Sequence, residues 1–383
     1  MLPSMEVILA FIWVRLSFIR LVSVFWGARC LNLRITVFLG GIKLNQKEIF
    51  ELVVCPATRQ NPRNTEADIV ELRDGRLLLA YTDFYHCSWY DMSPARISGK
   101  ISTDIGKTWS EPFTIQENIG TENVMGSDLL RLRSGELALF FCVKNSEADC
   151  KPYMIKSFDE GKSWSEPVPV AKFHGGYLTL NNDRAIQLSS GRLLLPSAMT
   201  PNVFAFPQLV SLCFFSDDNG RTWFRSKNVV SLSSSAQGAS EPGVVELRDG
   251  RVLMWFRNTL GHIYKSYSED EGETWSCPES MNVVSSCSPQ NIKRNPSTGH
   301  LVLVWNNTTS LRRNPLTMAV STDEGETWEN PRDIEVDERY SYSYPSVTFV
   351  KDLVLLTYYV HDEKDLLLHL KLRTIPVDWL YKR

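Results

Sequence analysis

The sequence predicts an all-β fold, a six-bladed β-propeller with four antiparallel strands in each blade, and three observations carry that prediction. The first is a phrase that recurs five times: STDIGKTW at 102–109, SFDEGKSW at 157–164, SDDNGRTW at 216–223, SEDEGETW at 268–275 and STDEGETW at 321–328. Its aspartates, Asp104, Asp159, Asp218, Asp270 and Asp323, stand 55, 59, 52 and 53 residues apart, the spacing of a repeat architecture. The second is an apolar alternation, a short polar turn and a hydrophobic run, as in VELRDGRLLLAY, LLRLRSGELALFF, AIQLSSGRLLLPS and VVELRDGRVLMWF, and less cleanly in IKRNPSTGHLVLVW and VTFVKDLVLLTYY. Gly75, Gly135, Gly191, Gly250 and Gly299 mark the first five of these turns and Lys351-Asp352 the sixth, so each reads as a hairpin. The third is the unit itself. About 50 residues with two hairpin signals make a four-stranded sheet, and such sheets arranged radially form a propeller.

The phrase S-x-D-x-G-x-[ST]-W has the chemistry of a tight turn. The aspartate can accept backbone N–H bonds, the glycine can take a positive φ without steric cost, and the tryptophan can anchor the turn against the next unit. These residues read as scaffold. The catalytic residues must be sought between the repeats, on loops and strand ends.

Composition narrows the possibilities. The chain has 383 residues, 43% hydrophobic and 22% charged, enough for a sizeable core, and residues 46–383 read as one propeller domain. A net charge of -3, with lysines and arginines dispersed, excludes a basic field for nucleic acid. The eight cysteines include no C-x-x-C pair and no histidine at zinc-ligand spacing, so no metal site is expected. Cys142 with Cys150, and Cys277 with Cys287, are spaced for local disulfides, and free buried thiols account for the count equally well.

Residues 1–45 are an apolar extension of open status. Within the apolar stretch 7–39, Arg15 and Arg20 fall inside the best window, and a central arginine costs about 2.5–3.5 kcal/mol on insertion scales. Membrane attachment through this segment is therefore doubtful. The opening MLPSME lacks the positive charge of a signal peptide, leaving an imperfect anchor, an interfacial helix or an added extension as readings.

The repeated phrase resembles the Asp box of sialidases and related bacterial neuraminidase repeat proteins, over roughly residues 46–383. That resemblance implies an exo-α-sialidase-like glycoside hydrolase, releasing terminal sialic acid from a glycan with retention through a tyrosine nucleophile, an aspartate acid/base and an arginine triad. It implies no metal and no cofactor. Three arginines are the physical signature, because the substrate bears a carboxylate on its anomeric carbon and a guanidinium fork binds carboxylate bidentately.

Taken residue by residue, Arg63 in PRN matches the first arginine better than Arg59. The loop YTDFYHCSWYDMSPARISGK matches the acid/base loop, with Asp91, 11 residues ahead of Ser102, favoured over Asp83 at the strand end. Glu241 and Arg257 lie 16 residues apart across the Gly250 turn, which brings both to one end of a hairpin and matches the glutamate and second arginine. For the third arginine the context favours Arg313 over Arg312, and neighbours on an extended strand face opposite sides. Tyr344 in YPSVT matches the nucleophile, with Pro345 where the motif has serine and Tyr342 in reserve. Asn182, Asp183 and Arg184 stand near the same rim, where they either touch the sugar or pair among themselves. Two other functions fit the same scaffold: an exo-acting hydrolase on another neutral or acidic glycoside, indifferent to Arg257, and a carbohydrate-binding propeller whose binding ignores Tyr344 and Asp91.

Overall fold

The alternating segments become strands in the computed structural model, which describes residues 49–171, 176–362 and 364–382. Every described residue belongs to one compact unit, Gln46–Arg383. The apolar stretch 7–39 lies outside the described residues. Among those described, no helix is long and apolar enough to cross a membrane.

In chain order the strands fall into antiparallel runs of four. The first run is Arg63–Glu71, Leu77–Phe84, Ala95–Ser102 and Phe113–Gln116; the second is Asn123–Arg131, Leu137–Ser146, Asp149–Ser157 and Val168–Pro169. The third opens with two short pieces, Gly176–Thr179 and Ile186–Gln187, both paired with Leu193–Thr200, and continues through Val210–Ser216 and Phe224–Arg225. Ser240–Glu246, Val252–Arg257, His262–Ser268 and Glu279–Val284 form the fourth, and Asn291–Arg294, Leu301–Trp305, Leu316–Ser321 and Glu329–Glu335 the fifth. The sixth takes Tyr340–Val350, Leu353–Asp362 and Leu367–Pro376 from the end of the chain, and its last strand, Phe50–Cys55, from before the first run. The described ends of the chain thus meet in one sheet.

Hydrogen bonding does not keep all six runs apart, which corrects the expectation of uniform four-stranded sheets. Arg63 pairs in parallel with Leu368, joining the first and sixth runs into an eight-stranded sheet. Gly176 and Tyr177 pair in parallel with Asp149 and Cys150, joining the second and third into a nine-stranded one, while the fourth and fifth stay separate. Both seams lie at strand ends, where backbone groups without a partner in their own run take one from the neighbour.

The core lies between runs. Six apolar clusters each draw on two consecutive runs; Leu78 and Ile97, for example, pack with Phe141 and Ile155, and Leu356 packs with Val304. Each repeated turn closes on itself and packs into one of these clusters. Around Asp218, the Ser216 Oγ to Asp218 Oδ1 distance is 2.8 Å, the Gly220 N–H donates to Ser216 Oγ at 2.8 Å, and the Thr222 N–H donates to Asp218 Oδ1 at 2.8 Å. Trp223 then donates to the Gly220 carbonyl at 3.1 Å. The anchoring runs backwards, not forwards as the sequence suggested: Trp223 joins a cluster with Phe140 and Met154 of the preceding run, and Gly220 faces Met154.

Buried carboxylates tie the opening segments of several runs together. Asp68 accepts the Leu129 N–H at 2.8 Å, Asp128 the Ala185 N–H at 2.7 Å, and Asp183 the Val347 N–H at 2.7 Å. The site is built on these segments.

Candidate active site

Four of the first strands carry the same irregularity. Their registers shift between Thr65 and Asp68, Met125 and Asp128, Ser240 and Gly243, and Ser343 and Ser346. Each shift is a β-bulge with one residue at positive φ: Glu66 at 46°, Gly126 at 77°, Glu241 at 47° and Tyr344 at 56°. A bulge re-aims a side chain, and a non-glycine residue at positive φ is strained, so three polar side chains are held out of the pleat at an energetic cost. Glu66, Glu241 and Tyr344 all line one cavity of ≈ 270 Å³.

The Tyr344 hydroxyl donates to Glu241 Oε1 at 2.8 Å, and Arg257 Nη1 donates to Glu241 Oε2 at 2.9 Å. Arg257 Nε also reaches Cys287 Sγ at 3.3 Å. Burial pushes the Glu241 carboxyl up, but Arg257, Arg313 and the tyrosine hydroxyl outweigh it and hold the group below the usual glutamate range. Burial and the Glu241 charge drive the Tyr344 phenol well above its ordinary value, against Arg313 and Arg257. The pair is a neutral phenol on an ionised carboxylate.

On the opposite wall, Arg63 is fixed by its own strand. Nη2 donates to Glu66 Oε1 at 2.7 Å, Nε to Thr65 Oγ1 at 3.0 Å, and the guanidinium lies 4.4 Å from the centroid of the Phe84 ring. Its remaining nitrogen, Nη1, is in contact with the Asp91 carboxylate. Burial raises the Asp91 carboxyl, yet Arg63 first, then Lys144 and Arg257, bring it down to about 2.

Of the expected residues, Arg63, Asp91, Glu241, Arg257 and Tyr344 line the cavity together. Arg313 is not in the cavity wall. It stands behind Tyr344, its guanidinium 5.7 Å from that ring's centroid, and donates to the Tyr359 hydroxyl at 2.7 Å. Arg312 points away, donating to the Glu338 carbonyl at 2.5 Å, and Arg59 is exposed. Asp83 is committed elsewhere, to Arg96, Ser98 and Asn61. Tyr342 is 2% exposed and packs in the core against Tyr358.

Asp183 and Arg184 neither line the cavity nor pair with each other. Asp183 is in contact with Lys293 and accepts from Asn291 at 2.7 Å, and Arg184 lies over Trp255 at 5.6 Å. The described cysteines are free thiols, including both pairs spaced for disulfides; Cys142 and Cys150 line the cavity, while Cys277 is exposed. Among the described residues no group of three or more His, Cys, Asp or Glu side chains is arranged to hold a metal ion.

Sequence reasoning missed Glu66, Lys144 and Tyr359. Lys144 is buried, lines the cavity and donates to the Asp91 carbonyl at 2.8 Å. Nothing in RNTEAD distinguishes Glu66 from an ordinary strand residue, because the bulge that turns it inward has no signature of its own.

Comparison with known proteins matches residues 96–356 to the BNR repeat-like domain. The chain belongs to that family. Among characterised relatives, this BNR repeat-like protein is 24% identical over 263 residues to a sialidase of Clostridium perfringens, covering 61% of the chain and 67% of the relative. It is 28% identical over 212 residues to a sialidase of Bacteroides fragilis, covering 51% of the chain but only 37% of the relative. The NanB sialidase of Streptococcus pneumoniae shares its fold, with a TM-score of 0.68, 18% identity, and coverage of 85% of this chain and 70% of that one. The BNR repeat-like protein is therefore a sialidase-like member of its superfamily, with antiparallel sheets in a propeller-like arrangement.

Proposed function

We propose that this protein is an exo-α-sialidase-like glycoside hydrolase that acts with retention on a six-bladed propeller, each run of four strands serving as one blade. The observation that carries the reading is the chain of contacts from Tyr344 through Glu241 to Arg257 on the cavity wall, with Arg63 and Asp91 across from it.

The charges suit one anion. Arg63, Arg257, Arg313 and Lys144 bring four positive charges to the site, and Glu66, Asp91 and Glu241 bring three negative ones. The surplus is a single cation, complementary to a sugar with one carboxylate. Arg63 and Arg257 hold that carboxylate in this reading, and Arg313 joins them by moving from Tyr359.

A carboxylate nucleophile would face the substrate's own negative charge, whereas a neutral phenol would not. Tyr344 attacks the anomeric carbon as Glu241 takes its proton, and Asp91 protonates the departing oxygen. Sialidases are the glycosidases that replace one of the usual two carboxylates by tyrosine. Water then resolves the glycosyl-tyrosine, and the product leaves with its configuration retained.

Release of fluorophore from an umbelliferyl sialoside tests the proposal. Turnover by the parent that disappears in Tyr344→Phe supports it. A folded parent that leaves the sialoside intact, and cleaves a neutral or uronic acid glycoside instead, overturns it in favour of another glycosidase; binding without any cleavage points to a lectin-like role.

A further inference from the structure

The Arg63 and Asp91 pair is placed awkwardly for the chemistry just proposed. Arg63 is the cation that should receive the substrate's carboxylate, yet it already holds a carboxylate. Asp91 is the acid that should deliver a proton, yet beside Arg63 it stays ionised down to about pH 2. Each residue blocks the other.

We propose that the substrate's own carboxylate arms the acid: it takes Arg63 from Asp91, and the released Asp91 carboxylate gains a solvent proton that it passes to the leaving oxygen. This rests on the sialidase reading of the site and adds how the site rejects glycosides that lack a carboxylate.

The two partners differ in their freedom to move. The Arg63 side chain is 9% exposed and held by Thr65, Glu66 and the Phe84 ring, so it keeps its place. The Asp91 side chain is 59% exposed and sits in the loop between strands Leu77–Phe84 and Ala95–Ser102. Its backbone is pinned, since its carbonyl accepts from Asn123 Nδ2 at 2.8 Å and from Lys144 Nζ at 2.8 Å. Only the carboxylate needs to swing, and rotation about side-chain bonds suffices.

The surrounding charges make the exchange consequential. Arg63, Lys144 and Arg257 act on Asp91 as cations from three different runs, and Glu66 lies beyond Arg63. The phenols of Tyr177 and Tyr344 share the cavity and are neutral. A bound carboxylate neutralises Arg63, the cation that acts most strongly on Asp91, and adds a like charge nearby; both changes favour the protonated acid. Lys144 and Arg257 remain and limit the rise.

The steps balance. Asp91 takes a proton from solvent on binding and gives it to the glycosidic oxygen as the carbon–oxygen bond breaks. The Tyr344 oxygen bonds to the anomeric carbon, and its proton goes to Glu241. Water then attacks that carbon and loses a proton to Asp91, while the tyrosine oxygen departs and recovers its proton from Glu241. When the product carboxylate leaves, Arg63 recaptures Asp91 and the proton returns to solvent.

Calorimetric titration of the full chain with a dehydro sialic acid, in two buffers of different ionisation enthalpy at about pH 5, reads the proton directly. Uptake of a fraction of a proton per bound ligand, growing as the pH is lowered from about 5 to about 4, is expected in the parent, and none in Asp91→Asn or with the corresponding carboxamide ligand. Binding without uptake overturns the arming while leaving the sialidase reading intact. Uptake that persists in Asp91→Asn overturns it as well, by assigning the proton elsewhere. A parent that fails to bind the ligand sinks the sialidase reading, and this inference with it.

Discussion

The repeated turns and the inner bulges are both local backbone devices, and they use side chains in opposite ways. Every turn keeps the same serine, aspartate, glycine and tryptophan, and in every one the glycine N–H donates to the serine Oγ, so five copies do one job. The bulges share a backbone irregularity but carry Glu66, Gly126, Glu241 and Tyr344. A device that satisfies itself is free to repeat; one that aims a side chain into a shared cavity differs from copy to copy because each aims at different neighbours.

Substitutions in the bulges should therefore abolish chemistry, and those in the turns should cost only stability. Tyr344→Phe removes the proposed nucleophile and is expected to lower kcat by at least about a thousand-fold, with KM for a sialoside nearly unchanged. Circular dichroism should show a folded protein. Glu241→Gln should follow, with kcat down about 10²–10⁴-fold through the lost base. It also removes the carboxylate partner of half-buried Arg257, so a lower thermal midpoint is expected alongside.

Arginine substitutions sharpen the contrast within one dipeptide. Arg313→Ala should raise KM for a sialoside about tenfold or more, and Arg312→Ala should leave kinetics within about twofold, because only Arg313 stands against Tyr344 and Tyr359. Equal effects would remove Arg313 from the site. In the turns, Gly220→Ala places a methyl group 2.8 Å from Met154 Cε at a φ of 80°, for an expected loss of about 1–3 kcal/mol with kcat/KM unchanged. Loss of activity in that variant without loss of stability would break the division between turn and bulge.

The pH dependence of stability sets two aspartates in opposite senses. Burial raises the Asp128 carboxyl to about 7, against Lys293 and the Ala185 N–H. A folded value above the unfolded 3.8 means the native state binds more protons, so stability falls as pH rises through that interval. Asp91, at about 2, acts the other way: its contribution is present above 3.8 and is lost as pH falls towards 2. Denaturant midpoints between pH 4 and 7 should decline, and Asp128→Asn should flatten the decline.

The sequence by itself determined the repeat, the hairpins and the chemical types at the site. Period and turn chemistry are local properties: the serine, aspartate and glycine of an S-x-D-x-G-x-[ST]-W turn bond within the phrase, and Gly75 or Gly250 announces a hairpin wherever it stands. Hairpin geometry even brought Glu241 and Arg257 together on paper, since both ends of one turn are neighbours by necessity. Between chemically similar candidates the residues alone set only a preference. Asp83 and Asp91, Arg312 and Arg313, and Tyr342 and Tyr344 differ in which way a side chain points, and a bulge or a loop decides that by one residue's backbone angle. Tertiary structure alone brought Glu66, Lys144 and Tyr359 to the site, and it alone set Arg63 against Asp91. Lys144 reaches Asp91 from the second run, Tyr359 reaches Arg313 from the sixth, and Arg63 meets Asp91 across the first, and no local pattern records a neighbour that the chain reaches only after folding.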